Sequence, residues 1–207
     1  METDWAAKNL QVIRTLMERG AVYRRALAPV MGAIGLTGVV AAGVAGMLDL
    51  RAPRSLAAFW MGVASLCLAE AFWLIRCQAL KDSELFWSPP TRRVVQAASP
   101  AFFAGFAAGL IFLVIGPGGP LAIWLLVPGW MALYGCALHA AGFFMPRGFK
   151  LFGWAFIGVG CLLGAALCLI GPPPVIGVNW AMGALFGAPH LAYGVYLYFT
   201  EKDRNAT

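Results

Sequence analysis

The chain has 207 residues, of which 61% are hydrophobic and only 12% charged, and its mean hydropathy is +0.77. A soluble domain is nearer half apolar and a quarter charged, so this composition excludes an ordinary soluble fold and indicates an integral membrane protein whose first partner is the lipid bilayer. The formal charge of +6 does not point to nucleic acid, because the Lys and Arg residues are dispersed along the chain and form no single stripe.

The first segment, 1–25, reads as an amphipathic helix. Within 4–25, Trp5, Leu10, Ile13, Leu16 and Met17 recur at helical spacing, with Lys8, Arg14, Glu18 and Arg19 between them. Such a helix lies along a membrane surface, as a simple anchor or as a docking surface for a cytoplasmic protein partner. It is too polar and too long before the first apolar run to be a cleavable signal peptide.

Six apolar stretches follow, near 27–48, 56–78, 96–116, 120–144, 150–171 and 175–199. Each is about 20 residues, the length that crosses roughly 30 Å of hydrocarbon at 1.5 Å per helical residue. The expected fold is an all-α six-transmembrane-helix bundle over 26–200, with a short cytoplasmic tail at 201–207. Thirteen Lys and Arg residues fall on the side of the two chain ends, and only Arg51 and Arg54 fall on the other. Positive charge stays cytoplasmic, which predicts N-in, C-in topology in the cell (inner) membrane.

The connections on the outer side are "GPGGP" at 116–120 and "GPPP" at 171–174, turn chemistry that forces tight hairpins. The cytoplasmic side is richer, with the 79–95 loop and the "MPRGFK" turn. Gly105 and Gly109, Gly160 and Gly164, and Gly183 and Gly187 are each four apart, a spacing that lets membrane helices approach closely, within the chain or in a homo-oligomer. The five cysteines, Cys67, Cys77, Cys136, Cys161 and Cys168, lie in spans or at a cytoplasmic edge, so no structural disulfide is expected.

Three ionisable residues stand well inside the spans: Glu70, His139 and His190. Each follows a Trp by nine or ten positions: Trp60 leads to Glu70, Trp130 to His139 and Trp180 to His190. The Trp residues fit an interfacial aromatic belt, whereas the recurring ionisable partner suggests a three-hairpin repeat. An unpaired charge costs roughly 2.5 to 3.5 kcal/mol at mid-bilayer, so these residues should face inward and find partners. Counting from the basic helix ends puts Glu70 and His190 on the order of 16 Å deep, with His139 about a turn shallower. Glu70 is therefore expected to pair with His190. Tyr134, Tyr193, Cys67 and Cys136 lie at similar depth and complete the candidate set.

Three uses remain open for it. The set could sense or transport a proton, ion or small solute, because carboxylate and imidazole are the ingredients of relays. It could hold a b-type haem or a transition metal on His139 and His190, with Cys136 and Cys67 as further ligands, although no cofactor is expected. It could instead be structural or regulatory, locking the bundle while the cytoplasmic face holds a partner. An enzyme finds little support: there is no G-x-S-x-G and no carboxylate pair within a span. All four lysines lie outside the spans, which excludes a retinal Schiff base.

Overall fold

The computed structural model describes residues 26–205 apart from 84, 117, 118 and 146, with the side chains of 147 and 201–205 also outside the description. The surface helix expected over 4–25 thus lies outside the described residues. Among the described residues there is no strand. Five helices are long and apolar enough to cross a membrane: α1 (Ala26–Met47), α2 (Pro53–Lys81), α3 (Pro89–Ile115), α4 (Pro120–Ala141) and α5 (Arg147–Ile170, apolar from Gly148 onward).

Their ends follow from local chemistry. Pro53, Pro89 and Pro120 open α2, α3 and α4, where the fixed φ of proline suits the first turn and its missing N–H would have been unpaired anyway. Gly116 and Gly171 close α3 and α5 at φ +82° and +93°, a backbone conformation that disfavours any side chain. Each is followed by proline, so the helix cannot continue.

The stretch expected to form a sixth continuous span is not one α-helix. It consists of α6 (Gly177–Met182), a π-helical segment (Gly183–Gly187) and α7 (Ala188–Asn205). Pro189 explains the interruption, since it has no N–H for the Leu185 carbonyl and its ring would crowd that oxygen. Widening to i→i+5 pairing relieves the conflict and takes up an extra residue.

The interior share of each span runs from 11% in α2 and 17% in α3 to 44% in α4, so α4 is the central helix and the others surround it. Large apolar side chains such as Phe103, Val114, Leu162 and Leu169 are exposed. Continuous apolar surface on this scale is lipid-facing surface.

Two glycine seams bring backbones together. The first runs antiparallel between α1 and the last helical segment: Gly32 meets Gly194, Gly35 meets Leu191, Gly38 meets Gly187 and Ala42 meets Gly183. A Cβ on Gly187 would stand 2.7 Å from the Val39 backbone nitrogen. The second joins α4 to α5, where a Cβ on Gly135 would lie 2.6 Å from the Gly153 carbonyl oxygen and one on Gly160 3.0 Å from that of Pro128. Gly109 likewise packs on Met61 and Trp130, and Gly105 faces Trp130 more loosely. The glycine pairs read from the sequence therefore face helices of their own chain.

Candidate functional site

Glu70 lies in the middle of α2, half-buried. Its carboxylate accepts from the Thr37 hydroxyl on α1, at 2.9 Å to Oε1 and 3.0 Å to Oε2. One hydroxyl carries one proton, so Thr37 straddles the carboxylate and donates to one oxygen at a time. The partner expected from depth, His190, is engaged elsewhere.

His190 is 1% exposed, and both its ring nitrogens are bonded. Nδ1 lies 2.6 Å from the Phe186 carbonyl oxygen within the π segment, and Nε2 lies 2.6 Å from the Tyr134 hydroxyl on α4. A carbonyl only accepts, so Nδ1 carries a proton; in the neutral ring Nε2 then accepts from Tyr134 O–H. This arrangement leaves no nitrogen for Glu70 and corrects the Glu70–His190 pairing. Rotation about the helix axis, which a count of residues does not give, decides partners.

Cys67 stands one turn before Glu70 on α2. The polar layer thus consists of two hydrogen-bonded pairs, Thr37–Glu70 between α1 and α2 and Tyr134–His190 between α4 and α7, at the level of the α1 seam where Gly38 meets Gly187 and Gly35 meets Leu191. Around its buried end stand Phe152, Phe156 and Phe186, with ring centroids 5.1 Å and 5.3 Å from His190 for the first two and 5.9 Å from Tyr134 for the third. The rings shut out water and strengthen the hydrogen bonds inside.

The remaining candidates stand apart. Tyr193 stacks on Phe152 at 4.7 Å with an interplanar angle of 16°, and its hydroxyl points toward Gly148 at the start of α5. Cys136 is exposed on α4. His139 contacts Phe143 and Trp154 edge-on, at 5.4 Å and 5.3 Å, and its Nδ1 is buried with no hydrogen-bond partner among the described residues. At 100° per residue, Trp154 projects from the opposite face of α5 to Phe152 and Phe156, which enclose His190. The ring against His139 and the rings around His190 thus lie on opposite faces of α5. Among the described residues no group of three or more His, Cys, Asp or Glu could hold a metal ion.

The sequence reading missed two polar residues. Thr37 carries no charge, and only its depth in α1 would have singled it out. Asn179, fully buried, accepts from the Trp60 indole N–H at 3.1 Å and donates to the Leu50 carbonyl at 3.1 Å. It ties α6 to α2 and to the α1–α2 turn. Beside it lies an apolar gap of about 10 Å³, bordered by Trp60, Ile123, Val127 and Met182, a space of roughly one water with no polar group to hold it.

No protein-family model, curated protein or solved structure matches this chain.

Proposed function

We propose that the chain crosses the membrane six times with both ends in the cytoplasm, the sixth crossing being the π-interrupted stretch 175–199, and that its polar layer accepts and passes a proton in the cytoplasmic half. The charge asymmetry supports the orientation, with thirteen Lys and Arg on one side and two on the other. In this orientation residues 1–25 lie along the cytoplasmic surface as an amphipathic helix.

One observation carries the proton reading: the 2.6 Å contact between the Tyr134 hydroxyl and His190 Nε2, in a site 1% exposed. A proton arriving at the Tyr134 oxygen lets Tyr134 hand its own proton to His190 Nε2, so the tyrosine stays neutral, the imidazole takes the charge and no heavy atom moves, whereas a solute would need a cavity. Glu70, half-buried at the other end of the layer, is the group through which a proton arrives.

A second reading is favoured by the completeness of the bonding. Both His190 nitrogens are bonded, and Glu70 accepts from Thr37 through one oxygen at a time, which is what a structural lock between helices requires.

Proteoliposomes with a pH-sensitive dye inside separate the two. Under a potassium diffusion potential, wild-type vesicles should acidify or alkalise faster than protein-free vesicles, and Tyr134→Phe should slow them toward the protein-free rate. Equal rates for wild-type and empty vesicles would overturn proton transfer and leave the lock. Reporter fusions at Thr207 and in the 117–119 turn test the orientation, with cytoplasmic and external readings expected respectively.

A further inference from the structure

His139 is the ionisable group that the polar layer leaves unused, and its surroundings are those of a ligand corner. It lies two residues before the end of α4, where the α4–α5 hairpin closes. The Phe143 ring stands edge-on to it at 5.4 Å and also carries the Lys150 ammonium 3.6 Å above its centroid. Gly142 makes room for this fold-back, since a Cβ there would lie 2.6 Å from Lys150 Cγ. Phe143 and Trp154, the two rings flanking His139, are 64% and 57% exposed.

Lys150 has no carboxylate partner among the described residues, and His139 Nδ1 has no acceptor or donor there. Both groups flank Phe143 at the junction of α4 and α5, half-buried at the level where the apolar spans end, and neither meets a carboxylate among the described residues. Below them the α5 surface offers a track of Leu151, Trp154 and Leu162, all exposed, with open space at Gly158 between the last two.

The geometry points to a site for the phosphate of an anionic phospholipid, held by Lys150 and the His139 ring, with an acyl chain along Trp154, Gly158 and Leu162. Basic pockets between membrane helices at the headgroup level take such lipids. The flanking rings suit the boundary, each having an apolar body for the acyl region and a face for the cation. Because Nδ1 is the buried nitrogen, the lipid meets Nε2, which in the Nε2–H tautomer donates to a phosphate oxygen. The proposal requires only that these helices span a membrane; it is independent of the proton reading.

Native mass spectrometry of the full-length protein tests it, with phosphatidylglycerol and phosphatidylcholine of identical acyl chains as probes. Phosphatidylglycerol should be retained preferentially. Lys150→Gln should weaken its retention about five-fold, the loss of one near-surface cation, without changing phosphatidylcholine binding, while Lys150→Arg restores it. His139→Phe, which fills the same space, should weaken it as well. Equal retention of the two lipids, or unchanged phosphatidylglycerol binding in both loss variants, would overturn the proposal. Displacement by millimolar inorganic phosphate would also overturn it, assigning the corner to a soluble anion.

Discussion

His139 and His190 are the same residue on neighbouring helices, each following a tryptophan by nine or ten positions, yet their surroundings are opposite. His190 is enclosed, with both nitrogens bonded, and it depends on the π segment for one of those bonds. His139 sits in an ordinary α-helix whose carbonyl four residues back, that of Gly135, faces Gly153 of α5. Its Nδ1 goes without a partner. The π turn takes up one residue, so the spacing of ten before His190 and of nine before His139 become nearly equivalent in rotation. Spacing therefore does not set the role. What differs is which backbone and side-chain groups the neighbouring helices bring up.

The largest contrast should come from the glycines beside each histidine. Gly187→Ala places a methyl against the Val39 backbone of α1, and backbone cannot rotate away, so a loss of about 3 kcal/mol or a failure to accumulate folded protein is expected. Gly142→Ala comes under 3.0 Å only from the flexible Lys150 stem, with the Leu138 carbonyl oxygen and the Lys150 backbone nitrogen at 3.1 Å, and should cost about 1 kcal/mol. Folded yield by size exclusion and thermal unfolding in detergent measure both. Equal costs would mean that the seam next to His190 is not rigid.

Substituting the histidines themselves sharpens the comparison. His190→Phe fills the cage but strands the Tyr134 hydroxyl and the Phe186 carbonyl, each a buried group that loses its partner, and should cost about 2 kcal/mol. His139→Phe removes a nitrogen that had no partner and, in detergent free of anionic lipid, should be neutral or stabilising by up to about 1 kcal/mol. A destabilised His139→Phe would show that His139 has a structural partner after all.

That the chain is built of long apolar helices was legible in the sequence, because apolar length is nearly all that a bilayer demands. The apolar stretch 27–48 overlaps α1 at Ala26–Met47, and 120–144 overlaps α4, which ends at Ala141 where the chain folds back and sets Lys150 over Phe143. Helix α3 begins at Pro89, seven residues before the apolar stretch 96–116, because its first turns are helical without being apolar. The π segment left no trace in the hydropathy pattern; only Pro189 and the paired glycines hinted at it. Site partners were less legible. Counting residues from a basic helix end gives depth, and Glu70 and His190 do share a layer, but azimuth depends on which helices are neighbours. Here α1 packs on the last segment through its glycines and turns Thr37 toward Glu70. A lone threonine among alanines and valines carries no signal of that.

The smallest effect concerns that hydrogen bond, and it tests whether the layer acts as one unit. Thr37→Val keeps shape and removes the donor, while Glu70→Leu removes the acceptor, so a cycle between them isolates the bond itself. Side-chain hydrogen bonds between membrane helices average about 0.6 kcal/mol and reach about 1.7. A double-mutant cycle between the two positions should give the lower figure if the carboxyl is neutral, and the higher one if it is ionised, because charged acceptors bond about twice as strongly. Glu70→Leu combined with His190→Phe should be additive within about 0.5 kcal/mol, since the two share no hydrogen bond. Coupling well above that would mean that the state of one end of the layer is transmitted to the other. That result would contradict two independent locks and favour a relay, read out by stability alone and without any flux measurement.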